Sequence, residues 1–591
     1  MKQFLLTMAG VVAGLMIFFV GLPLMLVLAA LSAPRPVAAA SVLKLDLRRS
    51  LNDQDAQNPL ALLGKKSLSV MSVVESLRRA ETDAKVKGLL IRLPEGGLAP
   101  GEADELRLAV KHFRLSGKPV FAHSQGLYPS GAVTSTYMLG ASTDQLWMQP
   151  GSSFEAVGLA AEEMFFKRLF DKYGVKADYQ QRYEFKTAVN PYLYDDFTAA
   201  HKESELSWMG SIYGAAVRAA ALDRRQAPAA LQKTLEAGPY PADQALKLGL
   251  IDRVGQVKDA ETAILGRAGR GARLVDFADY ASNTRRADDG AGSAIAVVYG
   301  EGEIVTGDGG SGSVVGSSQT IYSDETAKAI YDAIDDSDVK AIVFRVSSPG
   351  GGDTASEQIL AAVRAAKAAG KPVVVSMGEY GASGGYWISS EASAILAEPT
   401  TLTGSIGVYG GKLAIGPTLG RYGVDMRQLK VGGPYAGAYA VGPEFTPQQK
   451  TAFSHSIDLV YDGFIQRVAD GRRMSPDKVR QIAKGRVWTG EQAFGLGLVD
   501  QLGGFYDAVD KAKALAGLKG GVRLKRMGQS KSAFEALTRV FSADAASLGN
   551  LARLGRVLSD PKVEGVMHQI DAARLHAEGA GDVLAPMPGW R

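Results

Sequence analysis

The sequence predicts an α/β protein in which two tandem domains, each with a mostly parallel sheet covered by helices, follow an N-terminal transmembrane helix. Three observations lead to this prediction. Apolar strand-like runs alternate with helical segments through most of the 591 residues, and this βαβ rhythm is typical of parallel sheets. Landmarks of the first half recur in the second half in the same order. The segment from Phe4 to Leu31 carries no charge and is long enough to cross a bilayer as a helix.

Composition excludes several classes of function. With 46% apolar and 22% charged residues, the chain is globular rather than disordered. A formal charge of +4 with scattered basic residues gives no indication of nucleic-acid binding. The absence of cysteine excludes disulfides, a thiol nucleophile and a zinc-thiolate site. The six histidines form no His-x-x-x-His pair, so we expect neither a catalytic metal nor another cofactor.

The uncharged N-terminal segment has two interpretations. Lys2 precedes it, Pro34 and Pro36 end it, and Ala38-Ala-Ala40 offers an Ala-x-Ala cleavage site. Because the apolar run is longer than the core of an ordinary signal peptide, we interpret residues 1–41 as an uncleaved membrane anchor. Basic residues also follow the segment, so the positive-inside rule indicates its orientation only weakly.

The body of the chain is a duplication. Val86-Lys-Gly-Leu-Leu-Ile-Arg-Leu93 resembles Val339-Lys-Ala-Ile-Val-Phe-Arg-Val346, and Gly117-Lys-Pro-Val120 matches Gly370-Lys-Pro-Val373, both at an offset of 253. Beyond Gly517 we find no counterpart of the first half. The predicted divisions are a first repeat at 42–285, a linker at 286–292, a second repeat at 293–515, and a C-terminal extension at 516–591 with helical segments at 532–541 and 545–558.

The elements of the second repeat follow from its hydrophobic pattern. Ala341 to Val346 is predicted to be a strand, and Ala355 to Ala369 a helix that Gly370 ends. Thr354 and Glu357 have the spacing of a capping box at the start of this helix. Lys371 to Met377 is predicted to be the next buried strand.

Ser383 follows that strand in the stretch Glu379-Tyr-Gly-Ala-Ser-Gly-Gly-Tyr-Trp387. An apolar segment after it can open a helix, so the serine is predicted to lie at a strand-to-helix turn among three glycines. Glycines allow backbone amides to approach a bound group closely. These conditions suit a serine nucleophile whose attack creates an oxyanion. The alternative is a tight turn with a solvated serine.

A second glycine-rich turn follows the strand that ends at Val346. Its sequence, Ser347-Ser-Pro-Gly-Gly-Gly352, precedes a predicted helix and exposes several backbone amides. The turn can supply half of an oxyanion hole, or it can be an ordinary connection between a strand and a helix. The candidate donors are the amides of Gly350, Gly351 and Gly384.

Two residues are candidates for the base that Ser383 needs. Gly381-Ala-Ser-Gly-Gly385 matches the nucleophile-elbow pattern, and a Ser-His-Asp triad would then use His455. The other candidate is Lys186 of the first repeat, because burial can make a lysine a base. The repeats differ in a complementary way: the first has Thr134 where the second has Ser383, and the second has no lysine near residues 434–437.

Several motifs together resemble the bacterial signal peptide peptidase A family in its long, duplicated form. The resemblance spans the anchor and both repeats, roughly residues 1 to 515, and the motifs are highly specific in combination. The family pattern usually has Asn where this chain has Ser347. The motifs are Ser347-Ser-Pro-Gly-Gly351, Gly381-Ala-Ser-Gly-Gly-Tyr-Trp387, Leu402-Thr-Gly-Ser-Ile-Gly407, Tyr183-Glu-Phe-Lys-Thr-Ala-Val189 and Val487-Trp-Thr-Gly490.

The resemblance implies more than the residues do by themselves. It implies a Clp-protease/crotonase-like fold for each repeat and a Ser/Lys dyad made of Ser383 and Lys186. It also implies that Ser405, 22 residues after the nucleophile, places the lysine. The family is anchored in the bacterial inner membrane with its body on the periplasmic side, and its long form assembles as a homotetramer.

We therefore expect a membrane-anchored serine endopeptidase that degrades cleaved signal peptides and other apolar peptides. Two alternatives stay open at this stage. One is a crotonase-type acyl-CoA enzyme, which would need neither Ser383 nor an anchor. The other is a non-enzymatic membrane scaffold in which both repeats are degenerate.

Overall fold

The computed structural model describes residues 40–55, 68–283, 292–309 and 319–528, together with positions 15, 18 and 19. Most of the predicted anchor, most of the linker and the two helical segments of the C-terminal extension lie outside the described residues. Among the residues that are described, every helix is too short or too polar to cross a bilayer.

The described chain alternates strands and helices in both halves. The strands of the first half are β1 (Ser41–Asp46), β2 (Val86–Arg92), β3 (Val120–Ser124), β4 (Gln145–Met148), β5 (Ser153–Phe154), β6 (Lys176–Arg182), β7 (Tyr240–Pro241), β8 (Arg253–Val254) and β9 (Arg273–Asp276). Those of the second half are β10 (Ala294–Glu301), β11 (Glu303–Val305), β12 (Thr320–Tyr322), β13 (Val339–Ser348), β14 (Val373–Ala382), β15 (Ala394–Ala397), β16 (Leu402–Gly404), β17 (Val408–Ala414), β18 (Val487–Thr489), β19 (Gln501–Leu502) and β20 (Arg523–Arg526).

Helices connect these strands. In the first half they are α1 (Val70–Thr82), α2 (Pro100–Arg114), α3 (Val133–Ala141), α4 (Lys167–Tyr173), α5 (Asn190–Leu193), α6 (Ala199–Arg224), α7 (Pro228–Glu236), α8 (Ala242–Lys247), α9 (Val257–Ala268) and α10 (Phe277–Asn283), with a short 3-10 helix at Thr187–Val189. In the second half they are α11 (Ser323–Asp335), α12 (Asp353–Ala368), α13 (Gly384–Ser389), α14 (Gly416–Gly420), α15 (Pro447–Arg472), α16 (Pro476–Ile482), α17 (Gly490–Leu496) and α18 (Phe505–Leu515).

Each half has its own sheet, and the two sheets share one strand order. The first runs β8-β4-β3-β2-β1-β9, with all of its pairs parallel. The second contains the equivalent path β19-β15-β14-β13-β10-β20, also parallel, and adds β16 and β18 beside β14. Only the pair β16–β18 within that sheet is antiparallel. The predicted mostly parallel α/β architecture is confirmed.

Burial explains why the sequences of the central strands are continuous apolar runs. Nine of the ten residues of β13 are buried, and Lys340 is the exception. A strand that is covered by helices on both faces has no solvent side, so its sequence does not alternate. Helix α12 instead buries one stripe that includes Ala355, Ile359 and Val363, as a helix that covers a sheet does.

The helix that follows the glycine-rich turn differs from its prediction. Helix α12 begins at Asp353 with Gly352 as its N-cap, and no side chain caps it. The predicted capping box of Thr354 and Glu357 is therefore wrong. The Glu357 carboxylate accepts hydrogen bonds from the Trp387 indole at 3.0 Å and from Arg467 of α15 at 2.5 Å, so tertiary partners have replaced the local one.

The repeat extends further than the sequence indicated. Strand β20 lies beyond Gly517 and beyond the predicted boundary at 515, and it pairs with β10 as β9 pairs with β1. The expectation that the chain has no counterpart of the first half beyond Gly517 is thus wrong. Its four residues, Arg523–Arg526, carry three basic side chains, so they lack the hydrophobic pattern by which strands are recognised.

The two halves are joined by strand pairing and by a shared core. Strand β6 of the first half pairs antiparallel with β17 of the second over seven residues. Helix α1 of the first half packs Met71 against residues of the second sheet, including Ile295 and Val343. The two halves therefore share an interface, so one site can take residues from both.

A buried arginine holds the same junction. Arg345 of β13 is 1% exposed; it donates to Asp53 and to Glu105 of α2, both at 2.7 Å. Glu398, fully buried beside them, has a pKa raised well above its ordinary value by burial and by the neighbouring Glu105. A neutral Glu398 can donate to the Glu105 carboxylate, so the cluster carries less net negative charge than its three acids indicate.

Candidate active site

Ser383 stands at the junction of strand β14 and helix α13. It is the N-cap of α13, with φ 54° and ψ −118°. Positive φ is uncommon for a residue with a Cβ, and such strain is found mostly where function requires it. The Ser383 amide donates to the Gly404 carbonyl at 2.9 Å, which fixes the turn against strand β16.

Glycines allow the second turn to approach this serine. A Cβ on Gly350 would lie 2.7 Å from the Ser383 Cβ, and one on Gly384 would lie 2.8 Å from the Ser356 Oγ. Real Cβ atoms do not approach other atoms so closely. The two turns can meet only because neither position carries a side chain.

Of the three amides predicted as oxyanion donors, one is already occupied. The Gly350 N–H donates to the Ser348 Oγ at 3.1 Å. Within the described residues, the N–H groups of Gly351 and Gly384 have no hydrogen-bond partner. A Cβ on Gly384 would lie 3.0 Å from the Gly351 nitrogen, so these two amides are neighbours beside Ser383.

Lys186 reaches the serine from the first half of the chain. Its Nζ lies 2.9 Å from the Ser383 Oγ, 2.9 Å from the Ser405 Oγ and 2.9 Å from the Ser405 carbonyl oxygen. An ammonium has three protons to donate and these are three acceptors. A neutral amine can donate to the two Ser405 oxygens and still accept the Ser383 proton.

Burial sets the protonation of this lysine. Lys186 is 3% exposed, and burial lowers its pKa from 10.5 to about 7. A charged amine loses hydration when it is buried, so the neutral form is favoured. The neutral base is therefore well populated near neutral pH.

Ser405 is held in place by the segment that follows α16. It has a φ of 47°; its amide donates to the Arg486 carbonyl at 2.8 Å, and its hydroxyl lies 3.4 Å from the Gly485 carbonyl. Its side chain and its own carbonyl thus both face the lysine.

The same segment holds the lysine. The Lys484 carbonyl accepts from the amides of Tyr183 and Phe185, each at 3.2 Å. Gly485, with φ 83°, lies directly against the Lys186 backbone, since a Cβ there would be 2.4 Å from the Lys186 Cβ. Sequence reasoning missed this contact because almost 300 residues separate the two segments; the signal was a glycine just before the motif Val487-Trp-Thr-Gly490.

The alternative base lies elsewhere. His455 is exposed on helix α15, and within the described residues the side chain that donates to the Ser383 Oγ is Lys186. Among the described residues of the first half, the turn equivalent to the serine site is not open either. Thr134 is 3% exposed, and a Cβ on Gly97 would lie 2.2 Å from the Ala132 nitrogen, so that turn is packed closed.

A carboxylate on the nucleophile's own strand was also missed. Glu379 accepts from the Gly101 amide at 2.6 Å and from the Glu102 amide at 3.2 Å, at the start of helix α2. Burial raises the pKa of Glu379 to about 7, and burial together with Glu379 raises that of Glu102 to about 8. The strand that carries Ser383 is therefore tied to the first half at a second point.

The described residues contain no group of three or more His, Asp or Glu side chains that could hold a metal ion. The described arrangement around Ser383 presents a hydroxyl, an amine and two backbone amides.

Comparison with protein families identifies the duplication. The model of peptidase family S49 matches residues 112–268 and again residues 365–519, once in each half. The chain belongs to peptidase family S49. Its two matched stretches confirm the tandem repeat, and Lys186 and Ser383 lie in different copies of the S49 domain.

Relatives span most of the chain. It is 36% identical to Protease 4 of Salmonella typhi and 33% identical to Protease 4 of Haemophilus influenzae, over 76% of this chain and 72% and 73% of those proteins. The chloroplastic serine protease SPPA of Arabidopsis thaliana is 25% identical over 93% of this chain and 80% of that protein. These S49 relatives confirm the family resemblance that the motifs indicated.

Proposed function

We propose that the chain is a serine endopeptidase in which Ser383 is the nucleophile and Lys186 the general base. The observation that carries the proposal is the 2.9 Å contact between Lys186 Nζ and Ser383 Oγ in a site where burial brings the pKa of the amine to about 7. Membership of family S49 and the names of its relatives support a peptidase of serine type.

In the first step, neutral Lys186 takes the Ser383 proton while the Oγ attacks the scissile carbonyl. The carbonyl oxygen becomes an oxyanion, and the N–H groups of Gly351 and Gly384 donate to it. Gly350 has a different role in this proposal, because its amide is held by Ser348. It keeps the turn close to the serine.

In the next step, the Lys186 ammonium gives its proton to the leaving amine as the tetrahedral intermediate collapses. Ser405 stabilises that ammonium through its hydroxyl and its carbonyl. The acyl group stays on Ser383 until water attacks it, with the neutral lysine again taking the proton.

The substrates that we propose are apolar peptides, in particular signal peptides left after preprotein processing. One S49 relative, from Enterococcus faecium, carries the name putative signal peptide peptidase SppA. Exposed aromatic side chains flank both halves of the dyad: Tyr183 is three residues before Lys186 and Tyr380 three before Ser383, and they are 47% and 40% exposed. Such side chains suit contact with an apolar substrate.

The setting of the enzyme is part of the same proposal. We place an anchor at residues 1–41 in the inner membrane and the catalytic body on the periplasmic side, in a homotetramer. The uncharged run from Phe4 to Leu31 supports the anchor. The family resemblance supports the periplasmic side, the tetramer and a Clp-protease/crotonase-like fold for each repeat.

Covalent labelling tests the proposal. A fluorophosphonate probe should label the purified full-length protein, and Ser383→Ala should abolish both labelling and peptide hydrolysis. Thr134→Ala, the matched change in the first repeat, should leave both intact. A chain that folds but takes no label would favour the acyl-CoA enzyme or the scaffold, and labelling of Ser383→Ala would place the nucleophile elsewhere.

A further inference from the structure

One motif has no part in the chemistry described above. Val487-Trp-Thr-Gly490 lies in the second repeat, and Arg486 precedes it. The Arg486 guanidinium carbon lies 4.6 Å from the centre of the Trp488 ring and 4.8 Å from the centre of the Phe185 ring. Phe185 belongs to the first repeat and is the residue before Lys186.

The arginine therefore lies over two aromatic rings, one from each repeat. A planar guanidinium over a ring face gains cation–π and stacking energy, and lysine does not reproduce the planar contact. Arg486 also donates to Glu203 of α6 at 2.6 Å, but Glu203 is 59% exposed. An ion pair in water contributes little, so the rings are the stronger partners.

Several contacts from the second repeat hold this part of the first repeat. Around Lys186, the residues Tyr183, Glu184 and Ala188 are exposed, and Phe185 is half-buried. Lys484 pairs with Glu184 at 2.9 Å, and the Tyr183 ring packs edge-on against Tyr461 with 5.1 Å between centroids. In the backbone, the Lys484 carbonyl accepts hydrogen bonds and Gly485 lies directly against Lys186. The side chain that fixes the residue adjacent to the lysine is Arg486.

We propose that Arg486 is a positioning residue for Lys186, which keeps the amine between Ser383 and Ser405 and away from water by clamping Phe185. The inference rests on the proposed function of the dyad. In this inference, Arg486 of the second repeat supports the arrangement of Ser383, Ser405 and Lys186 through Phe185 of the first repeat.

The consequence concerns protonation. If the clamp is lost, the segment around Phe185 loosens and water reaches the Lys186 amine. Its pKa should then rise from about 7 toward the ordinary value of a lysine, since desolvation is what lowers it. Fewer molecules carry the neutral base at pH 7, while at higher pH the base is recovered.

The test is the pH dependence of kcat/KM between pH 6 and pH 10 in full-length protein. Arg486→Gln should raise the pH midpoint of the activity profile by about one unit or more. Activity at pH 7 should fall about fivefold for the first unit and about tenfold for each further unit, with recovery near pH 9. Arg486→Lys should give a smaller shift. Glu203→Gln removes the ion pair and leaves both ring contacts, so it should not change the pH midpoint of kcat/KM.

A second readout separates positioning from general damage. The rate of fluorophosphonate labelling depends on the base but not on peptide binding, and it should show the same shift. A uniform loss of rate at all pH values in Arg486→Gln, or a pH midpoint that does not move, would overturn the inference. So would an equal shift in Glu203→Gln. If the wild-type protein itself takes no label, the proposed function fails and not this inference alone.

Discussion

The Lys186 Nζ lies 2.9 Å from the Ser383 Oγ, although 197 residues separate the two along the chain. The lysine lies in one copy of the S49 domain and the serine in the other. Pairing of β6 with β17 brings the two copies together just before Lys186, because β6 ends at Arg182. The pair is therefore split between the two copies of one chain.

Activity should rise with pH and reach a plateau above the lysine pKa of about 7. Only the neutral amine can take the serine proton, so the active fraction grows as pH passes through that value. Lys186→Ala and Lys186→Arg should both be inactive, since a guanidinium does not release its proton at these pH values. Rates of peptide hydrolysis from pH 5 to pH 9 measure this.

His455→Ala is the control for the choice of base. It should keep the wild-type rate and the wild-type pH profile, because His455 is exposed on α15. An inactive His455→Ala together with an active Lys186→Ala would restore the Ser-His-Asp triad as the mechanism.

Gly350→Ala should reduce kcat by at least about 100-fold, the order of losing an oxyanion donor. Its φ of 119° disfavours any residue with a Cβ, and the added atom would lie 2.9 Å from the Gly384 nitrogen. The matched change is Gly352→Ala, where φ is −64° and the nearest atom would be 3.8 Å away. Equal rates in the two variants would show that the turn does not shape the oxyanion site.

Mixing two inactive variants should restore nothing. Ser383→Ala chains retain the lysine and Lys186→Ala chains retain the serine, but each chain builds its dyad from its own two repeats. The measurement is hydrolysis after the two proteins have been denatured and refolded together. Recovery of activity would mean that Lys186 and Ser383 meet across chains, and our assignment within one chain would be wrong.

Glu102→Gln should raise the melting temperature at pH 8.5 by a few degrees and change it little at pH 4.5. The pKa of Glu102 is about 8 in the folded protein against an ordinary 4.5. The contribution of Glu102 to the free energy of unfolding is therefore largest below pH 4.5. It falls as the pH rises toward 8, because the buried carboxyl then has to ionise beside Glu379. A glutamine at this position stays neutral at every pH, so the variant does not lose this stability.

The same change in melting temperature at both pH values would contradict that explanation. It would mean that the substitution alters packing, not charge. Glu203→Gln, at an exposed carboxylate, is the control and should shift neither value by more than a surface substitution does.

Part of the site could be predicted from local sequence. Ser383 lies at the predicted strand-to-helix turn because three glycines and a buried apolar run leave few other conformations. The predicted strand was too short at its C-terminal end, because it continues beyond Met377 to Ala382. Polar and small residues there interrupt the apolar pattern on which the prediction depended.

The support of the lysine could not be predicted in this way. Gly485 and Arg486 contact residues that are about 300 positions away, and no periodicity or spacing encodes such a contact. Lys186 itself could be predicted by comparing the repeats, because the first repeat lacks the serine and the second lacks the lysine. The capping box at Thr354 failed for a similar reason, because Trp387 and Arg467, which lie outside the helix, bind the glutamate that local reasoning assigned to its N-terminus.

The division of the pair between two copies has a consequence for how the protein is made. A ribosome adds about 5–20 residues per second, so Ser383 is added about 10–40 s after Lys186, given the 197 residues between them. Throughout that interval the growing chain holds a base without a nucleophile. Until the second copy has folded onto the first, the enzyme that we propose cannot cut, so the order of synthesis itself keeps the growing chain inactive.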